Sequence, residues 1–270
     1  MQRVSSRQNE RLRDVRRLIE SSRDRRKSGR CVLEGAHLID VYCSRIGVPE
    51  LLIVVDDRLG DPSIASLATR MPPSQTMVIP RARFAELATL PADIGALAVV
   101  TAPRDFPATQ GAFCLLLDGV QDPGNVGTII RTAAAAGVDQ VVLSRECAFA
   151  WAPKAMRAAQ GGHFLTTLVE GVDLDAWTGA FQAAGGSLIA TVVSDAASPW
   201  DADLRGRIAL VVGSEGTGVS RGLLDRADHR VSIPMADDSE SLNAAAAAAV
   251  VLFECVRQRQ RVADDRVARR

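Results

Sequence analysis

Histidines are few in this chain, and its cysteines are not clustered. Its 270 residues include three histidines, His37, His163 and His229, and no two of them are close in sequence. The five cysteines are scattered, with neither the close pairs of a zinc site nor the density of a disulfide-rich scaffold. Unless distant ligands converge in the fold, we expect no bound metal. We also expect reduced, buried thiols at Cys31, Cys43, Cys114, Cys147 and Cys255.

Long apolar runs are also absent. The longest, such as residues 244–255, fall short of the roughly 20 residues that a membrane-spanning helix needs. The first 30 residues are mostly charged and polar, so they lack the apolar core of a signal peptide. We therefore expect a cytoplasmic protein. Its 47% hydrophobic content is enough to form a substantial core in one or two domains.

The net charge is zero, but basic residues concentrate at the N-terminus. Residues 1–30 contain eleven basic and four acidic side chains, a local charge of +7. Arginine offers a planar fork of donors to phosphate oxygens, so this stretch suits contact with a nucleic acid. An equally good interpretation is a solvated helix whose charges bind nothing. Basic residues recur near the C-terminus, where they are typical of a frayed tail.

Apolar periodicity predicts a small α/β domain in the first hundred residues. The expected elements are a helical segment at 5–22, an apolar segment at 31–43 after a glycine-bounded turn, a strand at 51–55, a helix at 64–69 and a strand at 77–79. Residues 101–111 contain two prolines and a glycine without a periodic pattern. We therefore predict two domains, residues 1–105 and residues 106–270.

The second domain has the pattern of an open, mostly parallel sheet. Strands are expected at 113–117, 140–143, 187–193, 209–212 and 230–233, with helices at 126–136, 154–160, 175–184 and 244–255. Such sheets bind ligands beyond the carboxyl ends of their strands, and the glycine-rich loops of this chain follow predicted strands.

Two of these loops are rich in glycine or small polar residues. In LVVGSEGTG, residues 210–218, a strand runs into Gly213, Gly216 and Gly218, where the missing Cβ lets backbone amides approach a ligand. In SIPMADDSESLN, residues 232–243, a strand precedes small polar side chains and a helix start. Paired loops of this kind suit a small polar ligand that is held mainly by backbone groups.

A third loop leads into a helix that carries an arginine. Asn125 is expected at or near the helix start and Arg131 in its second turn. An arginine close to a helix N-terminus strengthens an anion site that free amides and the helix dipole already favour. The pattern alone is a weak signal, because a structural arginine at a sheet edge would look the same.

Together these segments resemble the SpoU/TrmH group of RNA 2′-O-ribose methyltransferases, in the SPOUT superfamily. The similarity rests on DPGNVGTIIR at 122–131, the loop at 210–220, IPM at 233–235 and SLN at 241–243. PKAMR at 153–157 with the following Gly161-Gly162 resembles the family's intervening segment. More loosely, SRQN at 6–9 and VLEGAH at 32–37 resemble its small RNA-recruiting domain.

This resemblance implies methyl transfer from S-adenosylmethionine to a ribose 2′-hydroxyl of RNA, in a site where two protomers of a homodimer meet. It implies an α/β fold in which a mostly parallel, trefoil-knotted C-terminal sheet follows a smaller N-terminal α/β RNA-recruiting domain. The positions that match the family's cofactor-binding residues are Gly213, Ile233, Leu242, Gly216, Gly218 and Met235. Those that match its catalytic residues are Arg131, Asn125, Glu215, Ser241 and Asn243.

Several roles stay open. Since a guanidinium keeps its proton, we expect Arg131 to hold a substrate phosphate rather than to act as the base. Glu215 either pairs with Arg131 and orients it or caps a turn. Ser241 and Asn243 are expected both to cap the following helix and to serve the cofactor. Ala152 stands where the family commonly has serine, which removes only a minor hydrogen bond.

Ribosomal RNA is the expected substrate, by analogy with family members that have a recruiting domain. One alternative is a transfer RNA methyltransferase. Another is an RNA-binding assembly factor that keeps the fold without turnover, although such a protein has no need of all five polar residues. A nucleotide-phosphate enzyme is the weakest reading, because no strand precedes a G-x-G-x-x-G pattern or a P-loop lysine.

Overall fold

The computed structural model of the chain describes residues 1–103, 111–236 and 241–268, with side chains as far as residue 260. The described residues form two compact units. The first comprises those within Met1–Arg104 and Trp151–Phe164, and the second comprises those within Asp105–Ala150 and Leu165–Arg270. The predicted boundary between residues 105 and 106 lies outside the described residues.

Strands and helices alternate along most of the described chain. The strands are β1 Gln2–Arg3, β2 Arg30–Glu34, β3 Leu51–Val55, β4 Thr76–Ile79, β5 Ala96–Thr101, β6 Phe113–Asp118, β7 Gln140–Ser144, β8 Thr167–Val172, β9 Ser187–Val192, β10 Ile208–Gly213 and β11 His229–Ser232. The helices are α1 Glu10–Glu20, α2 Ser22–Ser28, α3 Ala36–Arg45, α4 Pro62–Thr69, α5 Arg81–Ala85, α6 Pro123–Ala135, α7 Pro153–Ala159, α8 Leu174–Ala183, α9 Arg221–Arg226 and α10 Ala244–Ala268.

The first unit is built on a mixed sheet with the strand order β1-β4-β3-β5-β2. Strands β1, β4 and β3 are parallel, whereas β5 is antiparallel to both β3 and β2. Leu12 of α1 and Phe84 of α5 pack against one face of the sheet, where they join Ile53 of β3 in a buried cluster. Because side chains alternate along a strand, the buried Leu52 and Val54 point to the other face. Helices α3 and α4 lie against each other there, and α3 contacts β2 and β5.

Helix α1 is held at both ends by side chains. Asn9 precedes it and accepts hydrogen bonds from two backbone N–H groups of the first turn, at 3.0 and 3.3 Å. At the other end, Nη1 of Arg25 donates to the backbone oxygens of Leu18 and Ile19, at 2.6 and 2.8 Å. Arg25 is only 5% exposed. This arginine is therefore part of the core and does not belong to a solvent-facing basic arm.

The segment Trp151–Phe164 packs within the first unit. The Phe164 ring meets Tyr42 of α3 edge to face, with 5.2 Å between the ring centroids. From α7, Nη1 of Arg157 donates to the Thr89 hydroxyl at 2.6 Å and lies 4.0 Å from the buried carboxylate of Glu34. Glu34 also accepts from the Thr89 hydroxyl and backbone N–H, at 2.6 and 3.0 Å. A segment from the middle of the sequence thus contributes to the N-terminal unit.

Residues 31–43, predicted as one apolar segment, contain two elements. They divide into most of strand β2 and most of helix α3. Gly35 separates the two with a φ of 97°, a value that side-chain-bearing residues rarely adopt. The strand is buried on both faces, and a short buried strand has the same apolar run as a buried helix. Strands β5 and β8 were not among the expected elements either.

The second unit contains six parallel strands in the order β11-β9-β10-β6-β7-β8. This confirms the expected α/β fold with a mostly parallel sheet. Trp177 and Phe181 of α8, with Leu223 of α9, pack on one face of the sheet. Helices α6 and α10 contact each other, and α10 also contacts β10. Central strands β10 and β6 pair over their full length, from Ile208 opposite Phe113 to Gly213 opposite Asp118.

Helix α10 is longer than the predicted 244–255, since it continues to Ala268. Within the described parts of the chain, no helix combines the length and apolar character that crossing a membrane requires.

Candidate active site

The glycine-rich loop 214–218 begins where β10 ends. Its neighbours at the same edge of the sheet are the carboxyl ends of β6 and β9, and β11 lies next to β9. Because parallel strands end at the same edge of a sheet, the loops that follow them lie close together.

The loop folds back tightly on itself. The backbones of Ser214 and Gly218 exchange two hydrogen bonds, at 3.1 and 3.0 Å, and Gly218 has a φ of 68°. The Ser214 hydroxyl also accepts from the backbone N–H of Thr217 at 3.1 Å. A Cβ on Gly213 would overlap the backbone of Gly218 and Val219. Position 213 therefore requires glycine, because the returning loop occupies the space of a side chain.

The loop forms one wall of a cleft of about 430 Å³. Small-molecule sites typically enclose about 300 to 1,000 Å³. Glu215 and Ser241 from the predicted catalytic set line this cleft. All six predicted cofactor-binding residues line it as well: Gly213, Gly216, Gly218, Ile233, Met235 and Leu242. The structure thus brings together three segments that the sequence separates by up to 29 positions, from Gly213 to Leu242.

Some lining residues were missing from the sequence-based set. They come from the end of β9, from the loop and helix after β10, and from the first turns of α10: Thr191, Val192, Val193, Leu224 and Ala247. Strand β9 is not followed by a glycine-rich loop, so the signal that marks the end of β10 is missing there. Its position beside β10 in the sheet is what puts it in the wall.

A chain of side-chain hydrogen bonds joins this loop to two helices. The amide nitrogen of Asn125, on the first turn of α6, donates to Glu215. The amide nitrogen of Asn243 donates to Oδ1 of Asn125 at 3.1 Å. Oδ1 of Asn243 in turn accepts from the backbone N–H groups of Ala245 and Ala246, at 2.9 and 3.3 Å. Asn243 thus caps α10, as expected, and also takes part in the polar chain.

Arg131 stands apart from this chain. Helix α6 begins at Pro123, three residues earlier than predicted, because Asp122 caps it by accepting from the Asn125 backbone N–H at 3.0 Å. Arg131 therefore lies in the third turn rather than the second. Residues six apart in an α-helix are separated by about 240° around the axis, so Asn125 and Arg131 point in different directions.

The exposed side chain of Arg131 makes no hydrogen bond or ion pair with any other described residue. Glu215 accepts from Asn125 instead of forming the ion pair with Arg131 that was one of the two roles considered. Ser241 is exposed at the mouth of the cleft. Its upstream neighbours Ser239 and Glu240, part of the same predicted polar segment, lie outside the described residues.

None of the five cysteines is among the residues that line the cleft. In the described ranges, no three His, Cys, Asp or Glu side chains cluster in a way that would hold a metal ion. Four of the cysteines are buried and Cys43 is half-buried. Burial raises the pKa of Cys114 to about 12 and that of Cys255 to about 12, so neither is a nucleophile at neutral pH.

The C-terminal half of the chain matches a known protein family. A model of the SpoU rRNA methylase family matches residues 112–253, which include the loops and helices of the cleft. The chain belongs to the SpoU rRNA methylase family. The resemblance seen in the sequence motifs is thereby confirmed.

Some relatives match nearly the whole chain and others match only part of it. The 23S rRNA (guanosine(2553)-2′-O)-methyltransferase RlmP of Bacillus subtilis strain 168 is 31% identical over 94% of this chain and 98% of its own. A 23S rRNA (uridine(2479)-2′-O)-methyltransferase of Streptomyces viridochromogenes is 35% identical over 60% of each chain. The crystal structure of the SpoU methyltransferase AviRb from the same organism, in complex with AdoMet, has a TM-score of 0.83 at 28% identity, covering 93% of this chain and 98% of that chain.

Proposed function

We propose that this chain transfers a methyl group from S-adenosylmethionine to a ribose 2′-hydroxyl of ribosomal RNA. The observation that carries the proposal is the cleft at the end of β10, because all six predicted cofactor-binding residues line it. The Bacillus subtilis relative, which matches 94% of this chain, is named as a 23S rRNA 2′-O-methyltransferase, which supports the same reaction and substrate here.

The residues of the cleft fit S-adenosylmethionine. The folded-back loop at Gly213 presents backbone groups without a side chain in the way, which suits the polar parts of the cofactor. Val192, Ile233 and Leu242 offer apolar surface for its adenine ring. When bound, the cofactor supplies an electrophilic methyl group on a sulfonium centre.

We assign the handling of RNA at this site to Arg131 and the polar chain. Arg131 has an exposed guanidinium with no partner among the described residues, so its fork of donors is available to the phosphate next to the target ribose. Its positive charge there favours ionisation of the 2′-hydroxyl, with a substrate phosphate as the proton acceptor. Asn125, Glu215 and Asn243 hold the loop and both helix starts in one arrangement. Ser241, at the mouth of the cleft, is assigned to contact either the cofactor or the ribose.

The proposal includes a homodimer in which Arg131 completes the site of the partner protomer. Helix α10 supports this, because its outer surface exposes Val250 and Phe253, which are 38% and 50% accessible, one turn apart. Leu242, at the mouth of the cleft, is 40% exposed as well. A covering protomer would bury these side chains and bring a second α6 near the cleft.

Further parts of the proposal concern architecture and location. We propose that the second unit is trefoil-knotted, and the return of the chain from edge strand β11 to α10, packed on α6, is compatible with threading. We propose that residues 1–105 act as the RNA-recruiting domain and residues 106–270 as the methyltransferase domain, except for Trp151–Phe164, which packs within the first unit. A cytoplasmic location follows from a ribosomal substrate.

The deciding experiment is transfer of radiolabelled methyl from S-adenosylmethionine to unmodified 23S rRNA and to unmodified transfer RNA, followed by digestion to nucleosides. We expect one 2′-O-methylated nucleoside in 23S rRNA, and none with an Arg131→Ala control. Label in transfer RNA alone would contradict the ribosomal substrate. Cofactor binding without transfer to naked RNA or to assembling ribosomal subunits would favour the non-catalytic assembly factor.

A further inference from the structure

A groove in the first unit, remote in sequence from the methyltransferase motifs, is lined mainly by arginines. It encloses about 430 Å³ between α1 and the α5 region. Arg7, Arg13, Arg16 and Arg83 line it, against two carboxylates, Glu20 and Glu86. The lining thus carries an excess of positive charge, although the whole chain is neutral.

Glu86 holds three of these arginines in place. Its Oε1 atom accepts from Nη2 of Arg7 at 2.6 Å and from Nη1 of Arg83 at 2.5 Å, and its Oε2 atom lies 3.9 Å from Nη2 of Arg16. Hydrogen bonds from Arg7 and Arg83 lower the pKa of this carboxyl, so it stays ionised. One carboxylate cannot neutralise three guanidinium groups. The remaining N–H donors of these side chains are therefore oriented but not used up.

Arg13 adds a fourth cation without a fixed partner. It is exposed on α1, and its side chain makes no ion pair or hydrogen bond with another described residue. Arg7 is 70% exposed at its side chain even though it contacts Glu86. Solvent-facing guanidinium groups at the rim of a groove suit a ligand that approaches from outside and carries several negative charges.

The structure also separates these arginines from other basic residues of the N-terminal stretch. Arg25 is buried against the end of α1, and Arg30 forms a two-point contact with Asp14, at 2.8 and 3.2 Å. Arg83 is far outside that stretch in sequence, yet it lines the groove. The basic surface is thus a feature of the folded unit, and local charge in residues 1–30 describes it only in part.

We propose that this groove, which we call the arginine groove, binds the phosphate backbone of the substrate RNA. The inference rests on the proposed function and names where the first unit holds that RNA. Arginine forks match phosphate oxygens in geometry and charge. The lining contains no aromatic side chain on which a base would stack, and its apolar floor is formed by Leu12 and Leu87. The contact therefore positions RNA without reading its sequence.

The test compares three variants of the full chain: Arg7→Gln, Arg13→Gln and, as the control, Arg45→Gln. Arg45 is also an exposed arginine of the first unit, but it lies at the end of α3, away from the face of the sheet that α1 covers. Each change removes one positive charge. Binding to an unmodified 23S rRNA transcript is measured at several salt concentrations, with cofactor binding measured separately by calorimetry.

We expect each groove variant to weaken RNA binding about two- to fivefold, the range for a solvent-exposed charge contact. The magnitude of the slope of log affinity against log salt should fall by about one for each lost phosphate contact. Arg45→Gln should change neither quantity. Arg13→Gln is the most direct variant, because the Arg13 side chain makes no hydrogen bond or ion pair with another described residue.

Two other outcomes separate this inference from the proposed function. If the groove variants bind RNA with wild-type affinity and salt slope while the wild-type chain methylates RNA, the groove assignment is overturned and the activity stands. If the variants lose affinity as expected but the wild-type chain never transfers methyl, the groove stands as an RNA-binding surface and the proposed activity fails.

Discussion

The side-chain amide of Asn243 donates to Oδ1 of Asn125 at 3.1 Å, and the direction of this hydrogen bond is fixed from both sides. Oδ1 of Asn243 already accepts from the backbone of Ala245, so its nitrogen must face Asn125. Asn125 then presents its own nitrogen to Glu215, whose carboxylate oxygen accepts the hydrogen bond. The cap of α10 therefore determines which way an amide on α6 points.

Asn243→Asp should separate the capping role of this residue from its role in the site. Aspartate caps a helix as well as asparagine does, but it cannot donate to Asn125. We expect thermal stability close to wild type together with loss of methyl transfer. Asn243→Ala should lose both, with unfolding easier by about 0.5 to 2 kcal/mol. Thermal denaturation and a methyl-transfer assay on the same preparations make the comparison, and an active Asn243→Asp variant would show that the cap alone matters.

Gly213→Ala should abolish cofactor binding and destabilise the second unit. The new Cβ would overlap the backbone of Gly218 and Val219, and overpacking of this kind costs about 1 to 3 kcal/mol. Gly206→Ala is the matched control, since its Cβ would meet nothing within 4 Å and Gly206 does not line the cleft. Calorimetric titration with S-adenosylmethionine and chemical denaturation measure the two effects. Equal behaviour of the two variants would contradict the account of the returning loop.

Arg131→Ala should lose turnover while keeping cofactor affinity, because this side chain does not line the cleft of its own protomer. Removal of one group that stabilises developing charge costs about 10²- to 10³-fold in rate. Arg131→Lys keeps the charge but loses the planar fork, so its rate of methyl transfer should fall between those of the wild type and Arg131→Ala. Single-turnover rates and calorimetry test this. An Arg131→Lys variant with nearly full activity would argue against any need for two-point phosphate contact.

Phe253→Glu should convert a dimer into monomers and abolish methyl transfer. The substitution places a charge on the exposed apolar surface of α10, where a partner protomer is proposed to pack. Leu165→Glu is the control, because Leu165 is an apolar side chain with the same 50% exposure as Phe253 but lies outside α10. Light scattering during size-exclusion chromatography gives the mass. A wild-type monomer with full activity would refute the shared site.

Most of the second unit was accessible to sequence reasoning. Strands such as β6 and β10 have apolar runs bounded by glycine or polar residues, and parallel pairing forces their loops to one edge. Contacts between distant residues were not accessible. The bond between Asn125 and Asn243 depends on how α6 and α10 pack together, which no local pattern encodes. The turn of α6 that carries Arg131 was predicted wrongly, because Asp122 caps the helix and starts it three residues earlier than expected.

In the first unit, local patterns failed where burial removed the polar alternation that marks a strand. Strand β2 has an unbroken apolar run at residues 31–33 instead of an alternating pattern, and the turn at Gly35 separates it from α3. The charges of residues 1–30 likewise looked uniform, although Arg25 is buried and Arg13 is exposed.

The packing of Trp151–Phe164 into the first unit limits how this unit can be exchanged between proteins. A chimaera joined once near residue 105 would pair Glu34 of one parent with Arg157 of the other, and Tyr42 with a foreign Phe164. Any recombination that transplants the N-terminal unit intact must therefore carry two separate stretches of coding sequence. Residues of the two stretches that contact each other are expected to vary together among homologous chains, because a change on one side of a contact favours a compensating change on the other.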